Sequence, residues 1–149
     1  MSRRPNQPVE ILLIEDNPGD VRLTQLAFEG VELDIELCVA TDGIEALEVL
    51  SRRRHDDPAT VPDLVLLDLN LPGMNGFGFL EAIQDDPILA RLPVLVLTSS
   101  TACEDVFESY ELAANAYLTK PTDPDEYAAM VESVAKFWFE YVALPSLPA

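Results

Sequence analysis

The chain has very few of the residues that build most metal and redox centres. It holds one histidine and two cysteines in 149 residues. Cys38 and Cys103 lie far apart with no CxxC spacing, which excludes the usual zinc patterns and a disulfide scaffold. Both are expected to be reduced packing residues. His55 has no metal-ligating partner at a useful spacing and is expected on a surface loop. No apolar stretch approaches the ~20 residues that cross a bilayer. The opening residues, MSRRPNQP, carry no apolar segment behind their arginines and do not read as a secretory signal. A soluble, cytoplasmic protein without membrane association is the expectation.

Positive charge is scarce as well. Nine Lys and Arg face 27 Asp and Glu, a net charge of −18, and only Lys120 and Lys136 are lysines. Such a surface repels phosphate backbones, so direct nucleic-acid binding is not expected. It suits concentrated salt, where the Debye length falls to ~3 Å at 1 M, and a halophilic source is expected.

What is present is a run of short apolar strands, each closed by a polar residue. Length allows one domain with one sizeable core. Val9–Ile14 (VEILLI) reads as a buried strand ending in Glu15-Asp16. Asn17-Pro18 then reads as a helix cap with a first-turn proline. That helix should turn Leu23, Leu26 and Ala27 inward and end near Gly30. Residues 33–39 alternate in polarity, as an edge strand with one wet face does. Asp42-Gly43 opens a second helix with Ile44, Leu47 and Leu50 inward. Residues 51–62 read as the helix end and an exposed loop, with Arg52, Arg53 and Arg54 suited to the helix C-terminus.

The apolar run Val65-Leu66-Leu67 stops at Asp68, and Leu-Pro-Gly and Asn75-Gly76 then turn the chain. A third helix over 77–84 offers Phe79, Leu80 and Ile83 to the core. Residues 93–97 (PVLVL) form another buried strand closed by Thr98, and Thr101 with Glu104 fits a capping box for a fourth helix. Residues 116–119 (AYLT) form a short edge strand closed by Lys120-Pro121. Asp123-Pro124 opens a fifth helix.

Five strands alternating with five helices predict a parallel sheet covered on both faces. The three fully apolar strands belong inside and the other two at the edges. The order 2-1-3-4-5 meets this, giving an α/β, flavodoxin-like doubly wound sheet. In that order Glu15, Asp16, Asp68, Thr98 and Lys120 all reach the rim formed by the strands' carboxyl ends. Carboxylates there would repel by roughly 4 kcal/mol per pair at 4 Å and an effective dielectric of 20. A raised pKa, a cation, or both must relieve them. Oxygen ligands without Cys or His select a hard ion, and Mg²⁺ fits best because it takes one or two carboxylates plus phosphate oxygens.

The blocks ILLIEDNPGD, LVLLDLNLPGMNG, VLVLTSS and AYLTKP, in this order, resemble the receiver domain of two-component response regulators. The resemblance implies a receiver domain over 9–142, flanked by a disordered arm over 1–8 and a tail over 143–149. It implies that Asp68 is the phosphoacceptor, taking a phosphoryl group from a phosphohistidine on a sensor histidine kinase. Glu15, Asp16 and Asp68, with the backbone carbonyl of Asn70, would hold Mg²⁺. Lys120 and Thr98 would contact the phosphoryl group, and Tyr117 would be the aromatic switch. The protein would be a non-enzymatic signalling switch, catalysing only its own phosphorylation and dephosphorylation.

The NPGDxxL entry and the long loop before the third strand also resemble stand-alone response regulators associated with phytochrome-type kinases. The C-terminal stretch should pack Tyr127, Val131, Val134, Trp138 and Tyr141 on the sheet. Phe137, Phe139 and Val142 add apolar surface, so a homodimer through the fourth helix, fifth strand and fifth helix is expected. Two rivals are weaker. A haloacid-dehalogenase-like phosphohydrolase wants a second acid where Asn70 stands and its nucleophile on the first strand. A flavodoxin-like cofactor binder wants a phosphate loop where Glu15-Asp16-Asn17-Pro18 stands.

Overall fold

The computed structural model describes residues 9–31, 34–68, 76–98, 116–121 and 123–137. Its strands are β1 (Val9–Ile14), β2 (Ile35–Ala40), β3 (Leu64–Leu67), β4 (Val94–Thr98) and β5 (Ala116–Thr119). They form one sheet in the order β2-β1-β3-β4-β5, and every neighbouring pair is parallel. This is the expected doubly wound order, with β2 and β5 at the edges.

Among the described residues the helices are α1 (Pro18–Glu29), α2 (Gly43–Asp56), α3 (Gly76–Gln84) and α4 (Pro124–Lys136). The expected fourth helix from Thr101, with Cys103, lies outside the described residues, so α4 is the helix expected as the fifth. The caps follow the sequence. Asn17 Oδ1 accepts from the backbone N–H groups of Gly19 and Asp20, and Pro18 needs no partner at the first position. A Cβ on Gly19 would lie 3.1 Å from that oxygen, so glycine leaves room for the cap. Asp42 and Asp123 cap α2 and α4 in the same way.

Period-two alternation divides the core into two layers. Leu12, Ile14, Val65, Leu67, Val94 and Val96 face Ala46, Leu50, Phe79, Leu80 and Ile83 of α2 and α3. Ile11, Leu13, Leu64, Leu66, Leu95 and Leu97 face Ala27 and Phe28 of α1 and Tyr127, Val131 and Val134 of α4. Burying each Leu, Ile, Val or Phe among them contributes about 1.5–3 kcal/mol.

Two expectations about the faces need correction. Leu26 is half-exposed, and the inner face of α1 is Thr24, Ala27 and Phe28. The stripe is rotated because Thr24 meets a polar partner on α4. Ile44 is also half-exposed. The line through Gly43, Ala46 and Leu50 faces inward. Ile44 then stands about 100° around the axis. Cys38 is a free thiol that packs against the α2/α3 core, as a packing residue should. His55 is exposed as expected, but on the last turn of α2 rather than a loop.

Arg53 and Arg54 do lie in the last turn of α2, yet each has its own carboxylate. Arg53 Nη1 donates to Glu10 at 2.6 Å and Arg54 Nε to Asp86 at 2.9 Å. At the amino rim of the sheet, Asp63 and Glu10 clasp β3 to β1: Asp63 N–H donates to the Glu10 carbonyl at 2.8 Å, and Glu10 N–H to Asp63 Oδ2 at 3.0 Å.

Candidate functional site

The strand pattern also governs the opposite rim. Pairing runs one residue beyond the strands: Glu15 N–H donates to the Ala40 carbonyl and Asp68 N–H to the Ile14 carbonyl, both at 3.0 Å. Leu13, Leu66 and Leu118 all pack on the α1/α4 side. Two residues further on, Glu15, Asp68 and Lys120 point to that same side. There they meet Asp20 in the first turn of α1.

Lys120 is the centre of this cluster. Its Nζ donates to Glu15 Oε2 at 2.5 Å, Asp20 Oδ2 at 2.8 Å and Asp68 Oδ2 at 3.2 Å. Glu15 and Asp68 are only 2% and 6% exposed, while Asp16 lies out in solvent beside them. One carboxylate oxygen from each of Glu15, Asp16 and Asp68 lies within 4.8 Å of the others. Glu15 Oε1 also accepts from the Asn17 N–H at 3.1 Å.

Burial pushes the Glu15 carboxyl up to about 7, aided by the negative charge of Asp68 and only partly countered by the hydrogen bond from Lys120. Burial by itself would lower Lys120, but the bonds to Asp20 and Glu15 outweigh it and hold the ammonium above its ordinary value. The lysine stays charged while Glu15 sits close to the point where it takes up a proton.

The donor set fits a hard divalent cation. Its ligating atoms are all carboxylate oxygens, one member faces solvent, and the buried members carry a charge that one lysine offsets only in part. Thr98 closes β4 and pairs with Thr119 of β5, and Tyr117 lies within β5. The side chains of Thr98 and Tyr117, and the whole of Asn70, lie outside the described residues.

Sequence reasoning missed Asp20. An acid in the first turn of a helix reads as a partner of the helix dipole, and only the sheet brings Lys120 to it. It also missed the hydroxyls behind Asp20. Thr24 Oγ1 donates to the Asp20 carbonyl at 2.8 Å, and the Thr24 and Tyr127 hydroxyls share a buried bond of 3.0 Å.

Known proteins share this doubly wound sheet with acids and a lysine on its carboxyl rim. The family model of the response regulator receiver domain matches residues 11–132. The chain belongs to that family. Response regulator Rcp1 of Synechocystis sp. is 41% identical over 146 residues, covering 98% of this chain and 99% of Rcp1. The crystal structure of the Mn²⁺-bound form of Rcp1 superposes with a TM-score of 0.83 and 41% identity, covering 93% of this chain and 100% of that one. The structure of the phosphorylated cyanobacterial phytochrome response regulator RcpA gives 0.86 and 39%, covering 94% and 100%. Among the described residues, no helix is long and apolar enough to cross a membrane.

Proposed function

We propose that this receiver domain accepts a phosphoryl group on Asp68 from a phosphohistidine of a phytochrome-type sensor histidine kinase. The observation that carries the reading is the ammonium of Lys120, set 3.2 Å from Asp68 at the rim of a buried acid cluster. An Asp68 carboxylate oxygen bonds to phosphorus and the phosphorus–nitrogen bond breaks. The electron pair stays on the imidazole nitrogen, and an acyl phosphate is left on Asp68. Lys120 lies where it can meet the negative oxygens of the arriving group. Thr98 would offer a hydroxyl, and Tyr117 would respond to the new phosphate as the switch.

Glu15, Asp16 and Asp68, with the Asn70 backbone carbonyl, would hold Mg²⁺, which when bound would neutralise charge on the phosphoryl oxygens. The names of RcpA and Rcp1 support the phytochrome partner and a divalent-ion requirement. Nothing among the relatives supports the phosphohydrolase. The sheet order also places Asp68 after the third strand, not the first.

Incubation with acetyl phosphate and Mg²⁺ followed by intact-mass measurement tests this reading. A gain of ~80 Da, one phosphoryl group, that Asp68→Asn abolishes supports it. Multiple turnover of phosphate esters without an adduct rejects it. We read the chain as a cytoplasmic switch, and its charge of −18 supports action through protein contacts rather than nucleic acid. The exposed Phe137 at the end of α4 supports a homodimer through the C-terminal aromatic surface; Trp138, Phe139, Tyr141 and Val142 lie outside the described residues. Size-exclusion chromatography of both phosphorylation states tests it, and a monomer in each would exclude it.

A further inference from the structure

A lysine ammonium has three N–H donors, and in this site each has its own carboxylate. The three bonds are unequal. The longest, at 3.2 Å, goes to Asp68, the residue that receives the phosphoryl group on the reading above. The two shorter ones go to Glu15 and Asp20. Glu15 is fixed at the end of β1 by its backbone pairing and by the Asn17 N–H. Asp20 is fixed from behind. Its carbonyl takes the Thr24 hydroxyl, Thr24 is fully buried, and Tyr127 bonds to Thr24 from α4. Helix-dipole attraction accounts for an acid at position 20. It does not account for a side chain that is 30% exposed turning from water to a largely buried lysine.

Phosphorylation turns an Asp68 oxygen into the bridging oxygen of an acyl phosphate and adds phosphoryl oxygens that need a cation. Lys120 can meet this by exchanging a single acceptor, provided its other two bonds hold it in place. We propose that Asp20 is a positioning residue for phosphoryl transfer. Together with Glu15 it steadies Lys120 while the third N–H passes from Asp68 to the phosphoryl group. Asp20 acts through Lys120 and touches no reacting atom. The inference rests on Asp68 being the acceptor.

Asp20→Asn and Asp20→Ala both remove the charge, but only asparagine keeps an oxygen that can accept from Lys120. Three measurements separate the roles: the Mg²⁺ dissociation constant of the unphosphorylated protein by calorimetry, the melting temperature, and the rate of adduct formation with acetyl phosphate. Mg²⁺ affinity should shift equally in the two variants, since the lost charge is the same. Adduct formation should slow about tenfold in Asp20→Ala and at most about threefold in Asp20→Asn, the difference being one charge-assisted hydrogen bond. Equal slowing in both variants would overturn the positioning role and leave a charge effect. So would a wild-type rate in Asp20→Ala. Absence of an adduct on the wild-type chain is the distinct result that removes the Asp68 reading itself, and this inference with it.

Discussion

Thr24 and Tyr127, 103 residues apart in the chain, join their hydroxyls at 3.0 Å inside the packed face between α1 and α4. Both are buried, and burial raises the Tyr127 phenol above its ordinary value. Tyr127→Phe keeps the ring packing and leaves Thr24 bonded to the Asp20 carbonyl. It should therefore cost only about 1 kcal/mol, the net worth of one intramolecular hydrogen bond. Thr24→Val, which leaves the Tyr127 hydroxyl buried without that partner, should cost more. Urea unfolding of both variants checks the order, and the reverse order would mean the hydroxyl pair contributes little.

Arg53 ties α2 to the start of β1 through Glu10, and its guanidinium also reaches the Thr60 carbonyl at 3.3 Å. Each partner of the ion pair keeps about a quarter of its side chain in water, so solvent screens it. A double-mutant cycle of Arg53→Ala with Glu10→Ala should give a coupling of about 0.5–1 kcal/mol. Arg53→Ala alone should cost more than Glu10→Ala, because it also removes the bond to Thr60. Equal single-variant costs would contradict that role for the second contact.

Glu15 gives the metal-free protein a specific pH response. Its folded value of about 7 lies above the unfolded 4.5, so the folded chain holds a proton that the unfolded chain releases. The stability this group contributes is complete below about pH 4.5 and is lost as pH rises toward 7. Glu15→Gln should remove that loss, and the gap between variant and wild type should widen from pH 5 to pH 8 by up to ~3 kcal/mol. Denaturation at several pH values in the presence of a chelator is the measurement. A gap that is constant with pH would show that burial does not perturb Glu15.

The excess of 27 acids over 9 basic groups makes salt a stabiliser. Melting temperature should rise with KCl well beyond the physiological range, as screening weakens repulsion between surface carboxylates. A maximum in dilute buffer would reject the halophilic reading.

The apolar runs ending at Ile14, Leu67 and Leu97, with two less apolar strands left for the edges, are enough to give the parallel sheet, its order and the rim where Asp68 and Lys120 lie. Three near-continuous hydrophobic strands have few other ways to be buried. The helix faces were less legible. Hydrophobic periodicity places Leu26 and Ile44 inside, because it cannot register a buried threonine answered by a tyrosine on another helix, nor an inner face that begins with the small Gly43 and Ala46. Asp20 was hidden for a related reason. Its partner lies 100 residues downstream, and an acid at a helix start has a sufficient local explanation.

The clasp between Asp63 and Glu10 has a consequence at the other end of the sheet. Strand β3 is only four residues long, and its alignment with β1 and β4 helps set how far Asp68 stands from Glu15 and Asp16. Sliding by one residue would carry Asp68 ~3.3 Å along the sheet and turn it to the opposite face. The contact at the amino rim thus shares with the pairing along β1 and β4 the task of keeping Asp68 in line with the acids at the far rim.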